Sequence, residues 1–257
     1  MRTMRTAKCW VGLLLAAGIG LSGCGSDAGD GGSADSGGGA SADGGPADPA
    51  GAPTAGEVLF TDPLDDDQNG WALPENDLAR FYYEDGDFIW ESKQENLRPH
   101  LLAAPIGEAY DAGELEMLDV VVRADVTAVQ GAAVAGVFCR ENPDTDADFQ
   151  WYEFVVRDSF AAIRIADSEG ELEVLAETDD LTLPIGEMFT MEAACVDDGG
   201  QAQLWLSVNG DVILQTTDED PLENGAAGLQ AYDAPQAASA ERFIIRWHEF
   251  TVFQAAS

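Results

Sequence analysis

The stretch LDVVVRADV, residues 118–126, alternates between apolar and polar positions with the period of an extended strand. One face carries Leu118, Val120, Val122, Ala124 and Val126, whereas the other carries Asp119, Arg123 and Asp125. A strand of this kind packs one face on a core and turns the other toward water, as in antiparallel sheets. No part of the chain keeps a 3.6-residue apolar period over three turns. The sequence therefore predicts an all-β domain.

Short runs of the same kind recur on both sides of this stretch. The predicted strands are 57–60, 80–83, 87–92, 97–103, 118–126, 132–140, 149–157, 160–166, 171–177, 187–196, 202–208, 211–217, 227–232 and 242–253. Glu84-Asp85-Gly86 and Asn209-Gly210 join two pairs of them as hairpins, because glycine and asparagine accept the positive φ that tight hairpin turns require. Many short strands within some 200 residues favour a two-sheet antiparallel β-sandwich of jelly-roll type.

The N-terminus has the features of an export signal. Arg2, Arg5 and Lys8 precede an apolar run that ends in Leu21-Ser22-Gly23-Cys24. The run is too short for a permanent membrane span and long enough for a secretory signal. Its end resembles the lipobox of bacterial lipoproteins, which implies removal of residues 1–23, acylation of Cys24 and an extracytoplasmic protein anchored to the bacterial cell membrane. The alternative is an ordinary secretory signal that leaves Cys24 as a free thiol.

Residues 25–56 contain almost only Gly, Ala, Ser, Asp and Pro, without an aromatic or branched aliphatic side chain. A segment of this composition cannot form a core, so it is predicted to be a disordered tether with a reach of roughly 30 Å. The predicted organisation is a signal peptide at 1–23, the lipidated cysteine and linker at 24–56, and one folded domain at 57–257.

The charge balance excludes several classes of partner. The chain carries 48 acidic and 12 basic residues, a formal charge of −36. Residues 1–23 hold three of the bases and none of the acids, so the charge of the remaining chain is −39. Such a chain is not expected to bind nucleic acid, because like charge opposes contact with phosphates. For the same reason we expect membrane contact only through the lipid anchor.

Two of the four cysteines, Cys139 and Cys195, lie in the predicted domain. Each falls on the apolar face of its predicted strand, so both are expected to point into the same core. Outside the cytoplasm such a pair is expected to form a disulfide; the alternative is two unpaired buried thiols.

A second resemblance covers residues 57–257. The segments that carry it are, in order, Phe60–Trp71, Gly136-Val137-Phe138-Cys139-Arg140, Trp151-Tyr152-Glu153-Phe154, Glu192-Ala193-Ala194-Cys195, Val208-Asn209-Gly210 and His248-Glu249-Phe250-Thr251-Val252. Together they resemble the concanavalin A-like lectin and glucanase superfamily, and within it the laminin-G-like domains grouped with 3-keto-disaccharide hydrolases. The resemblance implies a jelly roll, and a function among glycan binding, glycoside processing and the unassigned roles of many lipoproteins.

Catalytic residues are not predicted. The glucanase branch of that superfamily uses an E-x-D-x-x-E strand, and the nearest stretch here, Glu114 to Asp119, differs in acid type at two of the three positions. In so acidic a chain a solvated strand start is the simpler interpretation, and it also applies to Glu171, Glu173 and Glu177. The two histidines, His100 and His248, lie far apart and have no local motif.

The acidic loop at 62–70 contains half of a calcium motif. Asp65, Asp67, Asn69 and Gly70 fit the pattern D-x-D-x-N-G, in which alternating oxygens converge on a hard cation. The glutamate expected at position 12 of an EF-hand is replaced by Asn76. Calcium at Asp65, Asp67 and Asn69 is therefore one hypothesis, and a solvated turn is the other; no further cofactor is predicted.

Two tryptophans are predicted on outward faces. Alternation turns Trp205 away from the core in 202–208, and turns Trp151 and Glu153 away from it in 149–157. An exposed tryptophan on a sheet can stack on a sugar ring, and arginines can donate to its hydroxyls. The candidate carbohydrate-binding residues are Trp151, Glu153, Arg164, Trp205 and Arg140, with both tryptophans on the solvent side of one sheet. The alternative is a second core layer beneath a covering loop.

The sequence thus predicts a lipid-anchored β-sandwich that binds a carbohydrate or another cell-envelope ligand without catalysis. A glycoside or 3-keto-disaccharide hydrolase is the alternative, and a structural or protein-interaction lipoprotein is a further one. Fold alone does not choose among them.

Overall fold

A computed structural model describes residues 51–71, 77–93, 100–105, 117–130, 133–141, 150–168, 170–184, 186–233 and 242–256. These residues form strands, turns and irregular segments, without an α-helix. Within this part of the chain no helix is long and apolar enough to cross a membrane. The strands are β1 (Ala55–Asp62), β2 (Ala79–Glu84), β3 (Asp87–Ser92), β4 (His100–Ala103), β5 (Val120–Gln130), β6 (Ala133–Glu141), β7 (Gln150–Arg157), β8 (Phe160–Asp167), β9 (Leu172–Thr178), β10 (Met188–Asp197), β11 (Ala202–Val208), β12 (Asp211–Asp218), β13 (Ala226–Asp233) and β14 (Ile244–Ala255).

The strands form two antiparallel sheets. The eight-stranded sheet has the order β12-β11-β10-β5-β14-β3-β2, with β1 paired to β14, and the six-stranded sheet has the order β4-β13-β6-β7-β8-β9. The predicted all-β, two-sheet antiparallel sandwich is confirmed. Both predicted hairpins are also present, since Asp85 and Gly86 have φ of 56° and 85°, and Asn209 and Gly210 have φ of 53° and 86°.

The core lies between the sheets and follows the alternation of the strands. On β5, the side chains of Val120, Val122, Ala124 and Val126 are buried in it. Large aromatic side chains from strands of both sheets fill it, among them Phe88, Trp90, Phe154 and Trp247. Side chains between these positions face outward, so each sheet has an inner face toward the core and an outer face.

A disulfide joins Cys139 on β6 to Cys195 on β10, with their Cα atoms 6.8 Å apart. Both side chains are buried in the core, and the bond links the two sheets across it. The predicted pairing is therefore confirmed.

The first strand begins at Ala55, two residues before the predicted boundary of the domain. Upstream of it, Ala52 packs against the outer face of the eight-stranded sheet, and the carbonyl of Thr54 accepts a bond of 2.9 Å from the amide of Ala256. Residues of the predicted linker thus contribute to the folded part. Cys24 and the signal sequence lie outside the described residues.

Candidate functional site

The outer face of the six-stranded sheet carries a buried polar cluster at its centre. Strand register pairs Glu153 on β7 directly with Arg164 on β8, so their side chains share this face as predicted. The inward neighbours of Glu153, Tyr152 and Phe154, are buried in the core. From the far side of β6, β13 adds two residues to the same face, Gln230 and Tyr232.

Glu153 accepts hydrogen bonds from three side chains. One carboxylate oxygen accepts from Nε2 of Gln230 at 2.6 Å, and the other accepts from the hydroxyl of Tyr232 at 3.3 Å and from a guanidinium nitrogen of Arg164 at 3.5 Å. The same Arg164 nitrogen donates to the Tyr232 hydroxyl at 3.3 Å. Glu153 is 0 % exposed and Arg164 is 12 % exposed, so the carboxylate holds the arginine from beneath.

Burial raises the pKa of Glu153 above its ordinary value, because desolvation disfavours the charged carboxylate. The bond from Gln230, the charge of Arg164 and the Tyr232 hydroxyl oppose this rise. Burial also raises the pKa of Tyr232, and the charge of Glu153 adds to that effect. The Tyr232 hydroxyl therefore remains a donor at neutral pH.

Gly136 on β6 gives Gln230 room to reach Glu153. A Cβ at this position would lie 2.8 Å from Cγ1 of Val155 and 3.2 Å from Cγ of Gln230. Because β6 separates Gln230 from Glu153, a side chain here would occupy the space above the strand that the amide needs. Gly136 is thus part of the geometry of the cluster.

The exposed part of this face lies toward β8 and β9. The guanidinium carbons of Arg157 and Arg164 each lie 5.1 Å from the centroid of the half-buried Phe160 ring. On β9, Val174 pairs with Arg164 and is 47 % exposed, and Leu172 pairs with Ala166 and is 40 % exposed. We name Arg157, Phe160, Arg164, Leu172 and Val174 the exposed rim.

Trp151 lies on the predicted face but is not open to solvent. It is 4 % exposed, packs with Phe138 and Ala166, and donates from its indole nitrogen to Oε1 of Gln230 at 3.2 Å. The predicted exposure of this tryptophan is wrong, because alternation fixes the direction of a side chain but not what lies above it.

Trp205 lies in the eight-stranded sheet, so the predicted platform of two tryptophans on one sheet is wrong. It is 7 % exposed and packs on Val121 and Ala194, with Ala52 against the same cluster. For Trp205 the structure thus shows the alternative, a second apolar layer on the outer face of the sheet.

Arg140 is fully buried rather than placed on the outer face with Arg164. Its guanidinium donates to the carbonyl of Leu118 at 2.8 and 3.2 Å and to the carbonyl of Leu222 at 3.1 Å. Arg140 has a φ of 54°, which breaks the alternation of β6 near its end. Burial lowers its pKa, and the residue closes one end of the sandwich.

Asp62 closes the acidic loop through two hydrogen bonds. The carboxylate of Asp62 accepts from the indole nitrogen of Trp71 and from the amide of Leu64, both at 2.7 Å. The side chains of Asp65, Asp67 and Asn69 are exposed. In the part of the chain that the structure describes, no group of three or more His, Cys, Asp or Glu side chains could hold a metal ion. Calcium at this loop stays a prediction.

His248 lies in a hydrogen-bonded chain on the outer face of the eight-stranded sheet. Its Nε2 lies 2.9 Å from the hydroxyl of Thr127, and its Nδ1 lies 2.6 Å from Asp87. Hydroxyl, imidazole and carboxylate have the order of a hydrolase triad. However, Thr127 is paired on both sides, to β10 and to β14, so the ladders use the backbone N–H groups that an oxyanion hole would need. Glu114, Glu116 and the side chain of His100 lie outside the described residues.

Gln230 and Tyr232 are the members of the cluster that sequence analysis missed. Alternation of the predicted strand 227–232 turns both of them away from Leu229 and Ala231, which is a signal of their direction. Their neighbours could not be predicted, because sequence does not reveal that β13 lies two strands from β7.

Comparisons with known proteins support this fold. No family model and no curated protein matches the chain. Among solved structures, a protein of unknown function with a galectin-like fold from Bacillus subtilis is similar, with a TM-score of 0.59 and 16 % identity over 79 % of this chain and 99 % of that one. A non-specific endo-β-1,3(4)-glucanase of family GH16 is also similar, with a TM-score of 0.50 and 11 % identity over 78 % and 91 % of the two chains. The described domain therefore has the jelly-roll fold.

Proposed function

We propose that this domain binds a carbohydrate or another cell-envelope ligand, without catalysis, on the outer face of the six-stranded sheet. The observation that carries the proposal is the buried carboxylate of Glu153 holding Arg164 beside the Phe160 ring at the exposed rim. An arginine fixed in this way loses little side-chain freedom when it donates to a sugar hydroxyl. The ring and the exposed Val174 and Leu172 offer apolar surface to the C–H groups of a sugar.

Binding is favoured over hydrolysis because of what surrounds Glu153. A glycosidase uses two carboxyl groups, about 5 to 5.5 Å or about 6.5 to 9.5 Å apart, on either side of a reacting sugar. Here Glu153 is fully buried, and its described hydrogen-bond partners are an amide, a phenol and a guanidinium. A glycoside or 3-keto-disaccharide hydrolase remains the alternative, since a raised pKa is what a general acid needs.

The direct test is a glycan-array screen of the full chain carrying Cys24→Ser, with and without calcium, followed by titration calorimetry of each ligand found. Arg164→Gln should weaken binding at least tenfold. Glu153→Gln should also weaken binding, because glutamine lacks the charge that holds Arg164. The loss should be smaller than in Arg164→Gln, because glutamine has nearly the same shape as glutamate. Arg80→Gln is the matched control, since Arg80 also stacks on an aromatic ring, Tyr82, but lies in the other sheet.

Loss of binding in Arg80→Gln to the same extent as in Arg164→Gln would contradict the proposed face. Turnover of a bound glycan that Glu153→Gln abolishes would favour the hydrolase. A blank array, together with capture of an envelope protein that Val174→Asp prevents, would favour a protein-interaction lipoprotein.

We further propose that the protein is a lipoprotein, held at the bacterial cell membrane through Cys24 and outside the cytoplasm. The ordered basic, apolar and Leu-Ser-Gly-Cys segments support it. Cys24→Ala should abolish labelling by radioactive palmitate and either release the protein from the membrane fraction or leave an uncleaved precursor. Normal labelling in this variant would contradict the proposal, and Cys9→Ala is the control.

A further inference from the structure

The charge on the exposed rim differs from that of the rest of the molecule. The chain beyond residue 23 has a formal charge of −39, yet two of its nine basic residues, Arg157 and Arg164, lie on either side of one hairpin and share the Phe160 ring. Among the described residues of this face the carboxylates are Glu153, which is buried, and Glu177 on β9, which pairs with Ala162. The rim therefore presents two guanidinium groups on an otherwise anionic protein.

Arg157 lacks the polar partner that each of the other described arginines of the sheets has. Arg80 pairs with Glu91, Arg123 with Glu192, and Arg164 with Glu153. Arg246 pairs with two carboxylates, and Arg140 is bound by carbonyl groups. Among the described residues no carboxylate lies within 4.0 Å of the Arg157 guanidinium. In a chain with four acids for each base, an arginine without such a partner is available to an anion from outside.

Arg164 also keeps unused hydrogen-bonding capacity. One terminal nitrogen serves Glu153 and Tyr232, and the other makes no hydrogen bond within the described part of the chain. A guanidinium binds a carboxylate or sulfate through two parallel N–H groups. The guanidinium carbons of Arg157 and Arg164 both lie within cation–π distance of the same Phe160 ring.

From this geometry we infer that the exposed rim recognises an acidic glycan, one with a carboxylate or sulfate group, through Arg157 and Arg164. The inference rests on the proposed function and narrows its ligand class. Repulsion by the distant acids does not prevent such binding, because the Debye length is about 8 Å at physiological ionic strength, whereas charges in contact are screened far less.

The test uses the full chain carrying Cys24→Ser, at 0.15 M NaCl, on an array of matched acidic and neutral glycans. Calorimetry then compares three probes: tetragalacturonate for the carboxylate, a sulfated galactose tetramer for the sulfate, and the neutral galactose tetramer. We expect one acidic probe to bind at least tenfold more tightly than the neutral one. Arg157→Gln should weaken binding of the acidic probe at least tenfold and so remove that preference. Arg157→Lys should keep the preference, and Arg80→Gln should leave all three affinities within twofold.

Each other outcome is decisive. An array with only neutral ligands, or an acidic preference that survives in Arg157→Gln, overturns the inference and leaves the proposed function standing. A blank array overturns the inference and also the carbohydrate ligand of the proposed function. Thermal melts of the Arg157→Gln and Arg157→Lys variants that match the parent show that lost binding is not lost folding.

Discussion

At the scale of single residues, Trp205 shows what strand alternation determines. It points away from the core of the sandwich, as the pattern of β11 requires, and nevertheless is buried on the outer face beside Ala52. Ala52 comes from a segment so poor in apolar side chains that its composition predicts only a linker. The indole nitrogen of Trp205 has no partner in the described part of the chain. The direction of a strand side chain is thus determined by the local sequence, whereas its burial depends on residues that are distant in the chain.

Trp205→Ala is expected to destabilise the domain by about 3 kcal/mol or more, because truncation leaves a cavity over Val121 and Ala194. Trp205→Phe is the matched control. It keeps much of the ring and removes the unpaired buried N–H, so its cost should stay below about 1.5 kcal/mol. Denaturant unfolding measures both values. An alanine variant as stable as the parent would contradict the observed burial and support the sequence-based prediction that Trp205 is exposed.

The calcium half-motif also makes a prediction at this scale. If Asp65, Asp67 and Asn69 bind calcium, chelator lowers the melting temperature and calcium restores it in a saturable way, because a ligand of the folded state stabilises by mass action. Asp67→Ala should remove this response. Asp66→Ala, which loses the same charge next to the motif, should keep it. Equal restoration by magnesium or sodium at matched ionic strength would leave only charge screening.

At the scale of strands, β6 connects the core with the proposed binding face. Cys139 points inward to the disulfide, while Gly136 opens a gap on the outer face for Gln230. Loss of a side chain on a strand normally lowers stability, so a glycine here indicates close approach by a neighbour. One strand thus carries the core disulfide on its inner face and the space for Gln230 on its outer face.

Gly136→Ala is expected to destabilise the domain by about 1 to 3 kcal/mol through overpacking, since the new methyl group would meet Val155 and the carbonyl of Phe154, at 2.9 Å. It should also push Gln230 away from Glu153 and weaken glycan binding. The double variant Gly136→Ala with Val155→Ala relieves the 2.8 Å contact and should recover part of the stability. No recovery in the double variant would mean that Val155 is not the obstacle.

Reduction of the Cys139–Cys195 bond is expected to lower the free energy of unfolding by about 4 kcal/mol, because the unfolded chain regains the freedom of a loop with a sequence separation of 56 residues. Guanidinium titrations with and without reductant measure the difference. The double variant Cys139→Ser with Cys195→Ser should not respond to reductant. Two thiols that react with an alkylating agent in the unreduced folded domain would contradict the bond.

Strands were predictable from sequence because each one carries its own alternation and turn residues. The Asn209-Gly210 hairpin follows from local chemistry alone, and so does the inward direction of Cys139 and Cys195. The pairing of Glu153 with Arg164 was within reach, since both lie in one hairpin. By contrast, Arg140 was assigned to the wrong surface because its positive φ interrupts the alternation, and Gln230 could not be joined to Glu153 without the order of the strands.

At the scale of the whole molecule, acidity and burial both make stability depend on pH. Besides Glu153, the carboxyl of Glu141 is buried at the end of β6, and desolvation raises its pKa from 4.5 to about 7. The folded state therefore holds the proton of Glu141 at a pH at which the unfolded chain has already released it. The stabilising effect of this proton is fully present below pH 4.5 and is lost as the pH rises through about 7.

The free energy of unfolding is accordingly expected to fall between pH 4.5 and 7, by up to about 1.4 kcal/mol per pH unit through Glu141. Repulsion within a chain of charge −36 has the same sign, so the measurement is made in 0.15 M and in 1 M NaCl, where screening suppresses the general term. At 1 M the slope should persist in the parent and flatten in Glu141→Gln, because glutamine does not titrate. Glu223→Gln, which alters an exposed acid, should keep the parent slope. If Glu141→Gln and the parent show the same slope at high salt, burial of Glu141 does not govern the pH dependence, and repulsion among surface acids accounts for it.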